Sequence, residues 1–399
     1  MSDFSNTMLQ GTSTGHYFQT DAEQAQTERR AAKASNKNGD PLVLKSKLLA
    51  AIPDPSAPGS LLIAESTGSV RRVDVDSGET KQVFKGPSAP VTCVAVGGPG
   101  NRTVFAGSWD KDIWSWNLET KALVRKYSGH TDFVKTIVCA RIGSKDYLIS
   151  GGADKKIMVW DIETGSRIHV IQDQTVSMMA LQHLIIDPLE STPEAAILVS
   201  ASSDPHIRRW RITTSAVEQI KEVSATEPNS VRHSILEHDT TVYKLFFDVD
   251  GEEVDLWTSS GDGTAKCLSR QKGFATDDTI KHGSHVRAVA VTDRWIITAG
   301  RDEDVKVWDR TSGKLYCTLE GHYNEVTDLV VLAEGNQVAS VSIDGTVRKW
   351  PLYKNELDRI NKERDEKANE VQKEEAEEPR EGLMTLEEEA ELAALMEED

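Results

Sequence analysis

Residues 297–308 read ITAGRDEDVKVW, and residues 149–160 and 339–350 read ISGGADKKIMVW and ASVSIDGTVRKW. In each, small and β-branched residues lead to an Asp, and a Trp follows six positions later. The same shape recurs as VFAGSWDKDIWSW (104–116), VSASSDPHIRRW (199–210) and WTSSGDGTAKCL (257–268). The resulting pairs are Asp110/Trp116, Asp154/Trp160, Asp204/Trp210, Asp262/Leu268, Asp302/Trp308 and Asp344/Trp350. A weaker copy, IAESTGSVRRV (63–73), places Thr67 and Val73 at the same offset. From Thr67 onward the intervals are 43, 44, 50, 58, 40 and 42 residues. Self-similarity at such a period marks an array of one supersecondary unit.

Each copy reads as two short strands of alternating character joined by a tight turn at the Asp. Asp-Gly at 262–263 and 344–345 supplies the backbone freedom that tight hairpins use. The intervals leave room for two more strands per copy, such as KLYCTLEG before Gly321-His322 and EVTDLVVL after it. One four-stranded sheet cannot bury both faces alone, whereas seven arranged radially can. The expectation is an all-β, seven-bladed β-propeller.

These residues resemble the WD-repeat family, whose repeats run about 40–45 residues with Gly-His and Trp-Asp signatures. The resemblance covers roughly residues 41–350. It implies a hydrogen-bonded tetrad of His, Ser or Thr, turn Asp and Trp in each complete blade. Three sets are complete: His130, Ser150, Asp154 and Trp160; His282, Thr298, Asp302 and Trp308; His322, Ser340, Asp344 and Trp350. A fourth, His238, Thr258 and Asp262, has Leu268 in place of Trp. The Asp110 and Asp204 copies lack the His and the Thr67 copy lacks nearly everything, so those blades are expected to hold their turns less firmly. Ser, His and Asp together also suggest a hydrolase triad. Recurrence in register with a structural repeat favours a buried hydrogen-bond network instead.

The resemblance further implies closure of the last blade by an N-terminal strand, with PLVLK at 41–45 the first candidate and GHYF at 15–18 the alternative. It places partners on the face bearing the turn Asp. The matching positions here are Trp109, Phe133, Lys135, Tyr243, His285, Arg287, Arg301 and Glu325, and exposed aromatic and Arg residues are frequent interface anchors. Arg287 and Arg301 belong to one blade and suit a carboxylate or phosphate. Two insertions flank one blade, at 182–196 and 213–232. Strand order puts both on the rim opposite the turn Asp, as surface loops or a second docking site.

The 399 residues divide by composition into a polar extension (1–40) with a short helix in TDAEQAQTERRAAKAS, the propeller (41–350) and a charged tail (351–399). Net charge is -18, and the tail holds 18 acidic against 7 basic residues. That balance disfavours nucleic acid as a direct partner, because phosphate contacts need clustered Lys and Arg. Within the tail, KNELDRINKERDEKANEVQKEEAEE reads as a solvated helix or disordered linker. LMTLEEEAELAALMEED follows, an acidic, partly apolar motif with Thr385 and Glu388 spaced as a capping box.

Cys93, Cys139, Cys267 and Cys317 are far apart in sequence and show neither metal-ligand spacing nor a disulfide framework. Gly97-Gly98-Pro99-Gly100 lies between strands and is a turn. Asp248-Val249-Asp250-Gly251 resembles a calcium loop, but Glu253 stands where Gly is needed, leaving a hairpin tip. No phosphate loop, zinc motif or nucleophile elbow appears, so the expectation is no enzyme, no cofactor and no metal. With neither a signal peptide nor an apolar run of membrane length, the expected compartment is cytoplasm, nucleus or both.

Three function classes follow. The first is a monomeric, non-catalytic scaffold or adaptor in a multiprotein complex. The second is an assembly factor for basic clients such as ribosomal proteins or histones, using the acidic tail. The third is a ubiquitin-ligase substrate receptor. Such receptors often carry Arg three residues after the Trp of a Trp-Asp pair, where this chain has Glu163 and Thr311.

Overall fold

The computed structural model describes residues 21–80, 82–173, 176–223 and 231–377. Seven antiparallel sheets form the seven blades of a β-propeller, six with four strands and one, blade 4, with five because its outer strand is interrupted. Blade 1 runs through Leu48–Pro53, Ser60–Glu65, Ser69–Asp74 and Gln82–Lys85. Blades 2, 3, 5 and 6 repeat that order within residues 91–128, 134–171, 242–281 and 286–319.

The small and β-branched runs that reveal the repeat are the second strands. Ser60–Glu65, Ala196–Ser202 and Trp295–Gly300 are buried at every position. A strand inside a sheet that is itself sandwiched between neighbours has no solvent face, so its apolar run is continuous rather than alternating. Fourth strands form the circumference, and Leu123 and Val124 in blade 2, like Val170 in blade 3, stay exposed. Blades 1 to 5 each pack on the next, and blade 7 on blade 1, through shared apolar clusters. Tyr147, Ile149 and Val159 of blade 3, for example, meet Leu184, Leu198 and Trp210 of blade 4.

Closure uses the PLVLK segment. Leu42 and Val43 pair antiparallel with Val347 and Thr346 of blade 7. Just upstream, Lys349 N donates to Gly39 O (2.7 Å) and the buried Arg348 guanidinium donates to Asn36 O (3.1 Å) and Asn38 O. Leu44, Leu48, Leu61 and Ile63 then pack on Val330, Leu332, Val341 and Val347, joining the first blade to the last. The alternative segment at 15–18 lies outside the described residues. The helix expected near the N-terminus is α1, Asp21–Ala34. Its Arg29 and Lys33 reach Glu303 (3.3 and 3.2 Å), so part of the turn rim of blade 6 is covered by the chain's own helix.

Both insertions belong to blade 4, and their placement corrects the sequence reading. Residues 182–186 are part of the first strand and Ala196 starts the second, so the first insertion is only 187–195, on the rim opposite the turn Asp. The second does not leave from that rim. Val217–Gln219 already forms the outer strand against Trp210–Ile212, and Ile235–Leu236 resumes it against His206–Ile207. The excursion between them, with the small Glu222–Val223/Val231–Arg232 ladder, therefore opens from the circumference.

Residues 353–399 form a separate unit, in which Lys354–Glu377 is helix α2. Ion pairs about one turn apart, such as Arg359 with Glu356 (2.6 Å), line it. The segment from 378 onward lies outside the described residues. No helix among the described residues is long and apolar enough to cross a membrane.

Candidate partner-binding face

The rim that carries the turn Asp is set by two local devices, one holding the turns and one aiming side chains between them. In blade 3, His130 Nδ1 lies 2.9 Å from Asp154 Oδ1 and Nε2 lies 2.8 Å from Ser150 Oγ, which also accepts from Trp160 Nε1 (2.9 Å). Blade 7 repeats this with His322, Asp344 (2.8 Å), Ser340 (2.7 Å) and Trp350 (2.8 Å). Blade 6 uses the opposite ring orientation. There His282 Nδ1 meets Thr298 Oγ1 (2.8 Å) and Nε2 meets Asp302 Oδ1 (2.9 Å), while Trp308 Nε1 donates to Thr298 (2.7 Å). Blade 5 keeps His238, Thr258 and Asp262 together without a Trp.

These Asp residues are half-buried, which alone raises their pKa, but the hydrogen bonds outweigh burial. The His282 contact and the Lys306 ammonium bring Asp302 down to about 2, and His322 similarly lowers Asp344. The His322 imidazole is held below its ordinary value by burial. Ser, His and Asp thus sit inside the blades with their polar atoms paired, rather than facing an opening as a nucleophile does.

The blades without the His are not bare. In blade 4, Arg208 is fully buried; its Nε donates to Asp173 (2.5 Å) and its Nη1 to Asp204 (3.0 Å) and Ser202 (3.1 Å). In blade 2, Trp114 Nε1 donates to Asp110 (2.9 Å). In blade 1, buried Glu65 accepts from Arg71 Nε (2.8 Å), Ser69 (2.6 Å) and Ser46 (3.0 Å). Arg71, Trp114 and Arg208 share one place, four residues after the turn position. That offset is the signal the sequence reading missed: each blade without the His has a hydrogen-bonded donor at this place.

The second device is a β-bulge at the start of every first strand. Pairing skips one residue in each blade, namely Leu49, Thr92, Lys135, Gln182, Tyr243, Arg287 and Thr327. A bulge re-aims the extra side chain, and all seven line one central cavity of about 240 Å³. Close backbone approach comes with it: a Cβ on Gly300 would lie 1.8 Å from His285 O, so only glycine fits opposite that bulge.

Of the eight sequence-predicted partner residues, Lys135, Tyr243 and Arg287 are bulge residues, and Trp109 borders the same cavity. Trp109 and Phe133 stack on each other at 4.9 Å, with 44% and 37% of their surfaces exposed. Arg287 lies over the Tyr243 ring (4.2 Å) and beside Glu325 (3.2 Å). Arg301 is exposed and His285 half-buried, linked only by a backbone bond from Arg301 N to His285 O (3.0 Å). Deeper in the channel Lys244 pairs with Asp328 (2.8 Å).

Among the described residues no group of three metal-ligating side chains occurs. None of the four cysteines is in a disulfide, and burial pushes the Cys93 and Cys139 thiols up to about 12, far from a reactive thiolate. Asp248 and Asp250 belong to a strand that turns at Gly251 and pairs Asp250 with Glu253 as a hairpin.

Comparison with known proteins agrees with this architecture. Residues 78–117, 277–309 and 313–351 match the WD domain, G-beta repeat, and residues 123–253 match the tRNA methyltransferase TRM82 WD40 domain. An uncharacterised WD repeat-containing protein of Schizosaccharomyces pombe is 29% identical over 86% of this chain and 90% of its own length. The nuclear distribution protein nudF of Aspergillus niger is 26% identical over 73% of the chain and 56% of its own length. Mitochondrial division protein 1 of Eremothecium gossypii is 25% identical over 60% of the chain, which spans only 28% of that relative. With its seven blades, tetrads and matched repeats, this chain is a member of the WD-repeat β-propeller family.

Proposed function

We propose that this protein is a non-catalytic subunit that holds another protein in a multiprotein complex, through the turn-Asp face around the channel mouth. The observation that carries this reading is the stacked, exposed Trp109–Phe133 pair beside Arg287, since large aromatics and Arg concentrate binding energy at protein interfaces. The seven bulges add a rigid frame, so a partner meets preorganised side chains. Replacing Arg287 and Arg301 together with Glu weakens recovery of the partner in a tagged pull-down from the native host, while the melting temperature holds. Undiminished recovery moves the interface to the blade 4 insertions or the tail.

The match of residues 123–253 favours a methyltransferase acting on tRNA as the catalytic partner. That stretch contains blades 3 and 4 and the 187–195 loop. Co-expression with candidate methyltransferase subunits, followed by size-exclusion chromatography, tests it: a stable complex supports it, and separate elution of every candidate removes it. The cytoplasm and nucleus both suit such a complex.

An assembly role for basic clients rests on residues 381–399, which hold eight acidic residues and no Lys or Arg. If the tail shields a basic client, deleting 352–399 weakens the complex and flattens its salt dependence. Full retention of partners leaves the tail a solubility device.

A further inference from the structure

We infer that the channel mouth is a receptor for an acidic side chain of a partner protein, which seats its carboxylate against Lys135 and Arg287 beside the Trp109–Phe133 stack. The inference deepens the proposed function and rests on that reading of the face.

The seven bulge residues aim inward, so what each is already bonded to decides what the mouth still offers. Thr327 donates to Leu48 O (2.9 Å) and Gln182 to Ser203 Oγ (2.7 Å), while Thr92 donates to Val134 O. Those bonds link blades or tie strands and leave little to give. Leu49 is apolar, and the Tyr243 ring is covered by Arg287. The charged members of the ring are Lys135 and Arg287, both cations, from blades 3 and 6 on opposite sides of the channel. Their charges act on each other: burial first, and then the Arg287 charge, depress the Lys135 ammonium.

The local ion balance is uneven. Lys244 is matched by Asp328 and Arg287 lies beside Glu325, which leaves Lys135, among the described Lys and Arg residues lining the cavity, as the one with no ion pair. Even the Arg287 match is partial, for its Nε is buried without a hydrogen-bond acceptor although Glu325 is 3.2 Å away. Below them, the His183 Nδ1 is also buried without a partner. A half-buried ammonium facing a guanidinium is unfavourable unless an anion arrives. A carboxylate supplies that anion and accepts several hydrogen bonds at once. The exposed indole and phenyl rings alongside suit an apolar or aromatic residue next to the acidic one. A basic or neutral peptide gains none of this.

The test uses the full-length protein and a displayed library of random twelve-residue peptides. Selection is expected to enrich an Asp or Glu adjacent to an aromatic or large aliphatic residue. For a selected peptide made synthetically with a fluorophore, changing that Glu to Gln is expected to weaken binding about tenfold or more, as loss of a charged hydrogen bond does. A phosphoserine arm at the same position separates carboxylate from phosphate recognition, and tighter binding of that arm overturns the carboxylate assignment. Lys135→Met is expected to match the Gln peptide's loss, while Lys135→Arg retains binding. Should Lys135→Met fail to fold, the peptide arms on the native protein still decide. Selected peptides without an acidic residue, or equal binding of the Glu and Gln forms, overturn the inference. If partner recovery falls with Trp109→Ala and Phe133→Ala yet not with Lys135→Met, the face stands and the acid anchor fails. If neither changes recovery, the proposed function itself falls.

Discussion

Blade 7 and blade 4 hold the same kind of turn by different chemistry. In blade 7 a relay runs from Trp350 through Ser340 and His322 to the Asp344 carboxylate, and Gly345 takes the positive φ (81°) after the Asp. In blade 4 the residue after Asp204 is Pro205, whose ring holds φ negative, so that turn cannot follow the others. Blades 1, 2, 3, 5 and 6 all have positive φ at this place, at Gly68, Lys111, Lys155, Gly263 and Glu303. What blade 4 gains is a buried Arg208 spanning Asp173 and Asp204, with Trp210 still bonded to Ser200 (2.9 Å). The carboxylate has to be satisfied in every blade; the group that satisfies it is free to change.

This comparison predicts unequal costs. Arg208→Met leaves two buried carboxylates without their shared cation, and breaking such a pair from one side costs about 3–5 kcal/mol. Equilibrium denaturation measures it. A loss smaller than that of a tetrad substitution contradicts a dominant ion pair in blade 4.

Next come Asp344→Ala and Asp154→Ala, each leaving a buried imidazole short of one partner at about 1–3 kcal/mol. Their effects are expected to add, because blades 3 and 7 share no side-chain partner in these networks. An unchanged melting temperature for either variant shows that the His and Ser hold that turn without the carboxylate.

The repeat was legible because burial on both faces forces a small, β-branched run in each second strand, and such runs survive as a visible period. The complete tetrads were legible for the same reason: each residue type sits at a constant offset from the turn. Arg208, Arg71 and Trp114 were not, since an Arg, an Arg and a Trp at one offset form no motif, and Arg71 bonds Glu65 rather than the turn residue, so the shared role shows only once their acceptors are seen. The second insertion was misplaced because sequence shows only that residues are extra. That Gln219 and Ile235 belong to one interrupted outer strand depends on pairing with both ends of His206–Ile212. The rim positions were legible one by one, but the stacking of Trp109 on Phe133 across two blades shows only in the structure.

Acid sharpens the contrast further. Asp302 lies near 2 when folded against an ordinary 3.8, so its folded value is depressed. Its contribution is complete above about pH 4 and is lost as pH falls toward 2. The stability gap between the native protein and Asp302→Asn is expected to be no more than about 2 kcal/mol at pH 6 and to begin closing below pH 4. A gap that stays constant from pH 6 to pH 3 means that shape, not charge, is what Asp302 supplies.

The smallest effect belongs to blade 2, where the stand-in is the weakest. Trp114 Nε1 donates to Asp110 Oδ2 (2.9 Å), while Lys126 lies over the indole at 4.9 Å and Trp116 stacks beneath it. Trp114→Phe keeps a ring in the stack and removes only the N–H. Asp110 is half-exposed and still accepts from Asp112 N (3.1 Å), so water replaces much of what is lost. The expected cost is about 0.5–1.5 kcal/mol, the net worth of an ordinary hydrogen bond, because solvent screens this carboxylate. A cost as large as that of Asp344→Ala means that the indole in blade 2 carries a whole tetrad's share. No change at all means that the backbone bond alone holds this turn, and that blade 2, unlike blade 4, has no true substitute for its missing histidine.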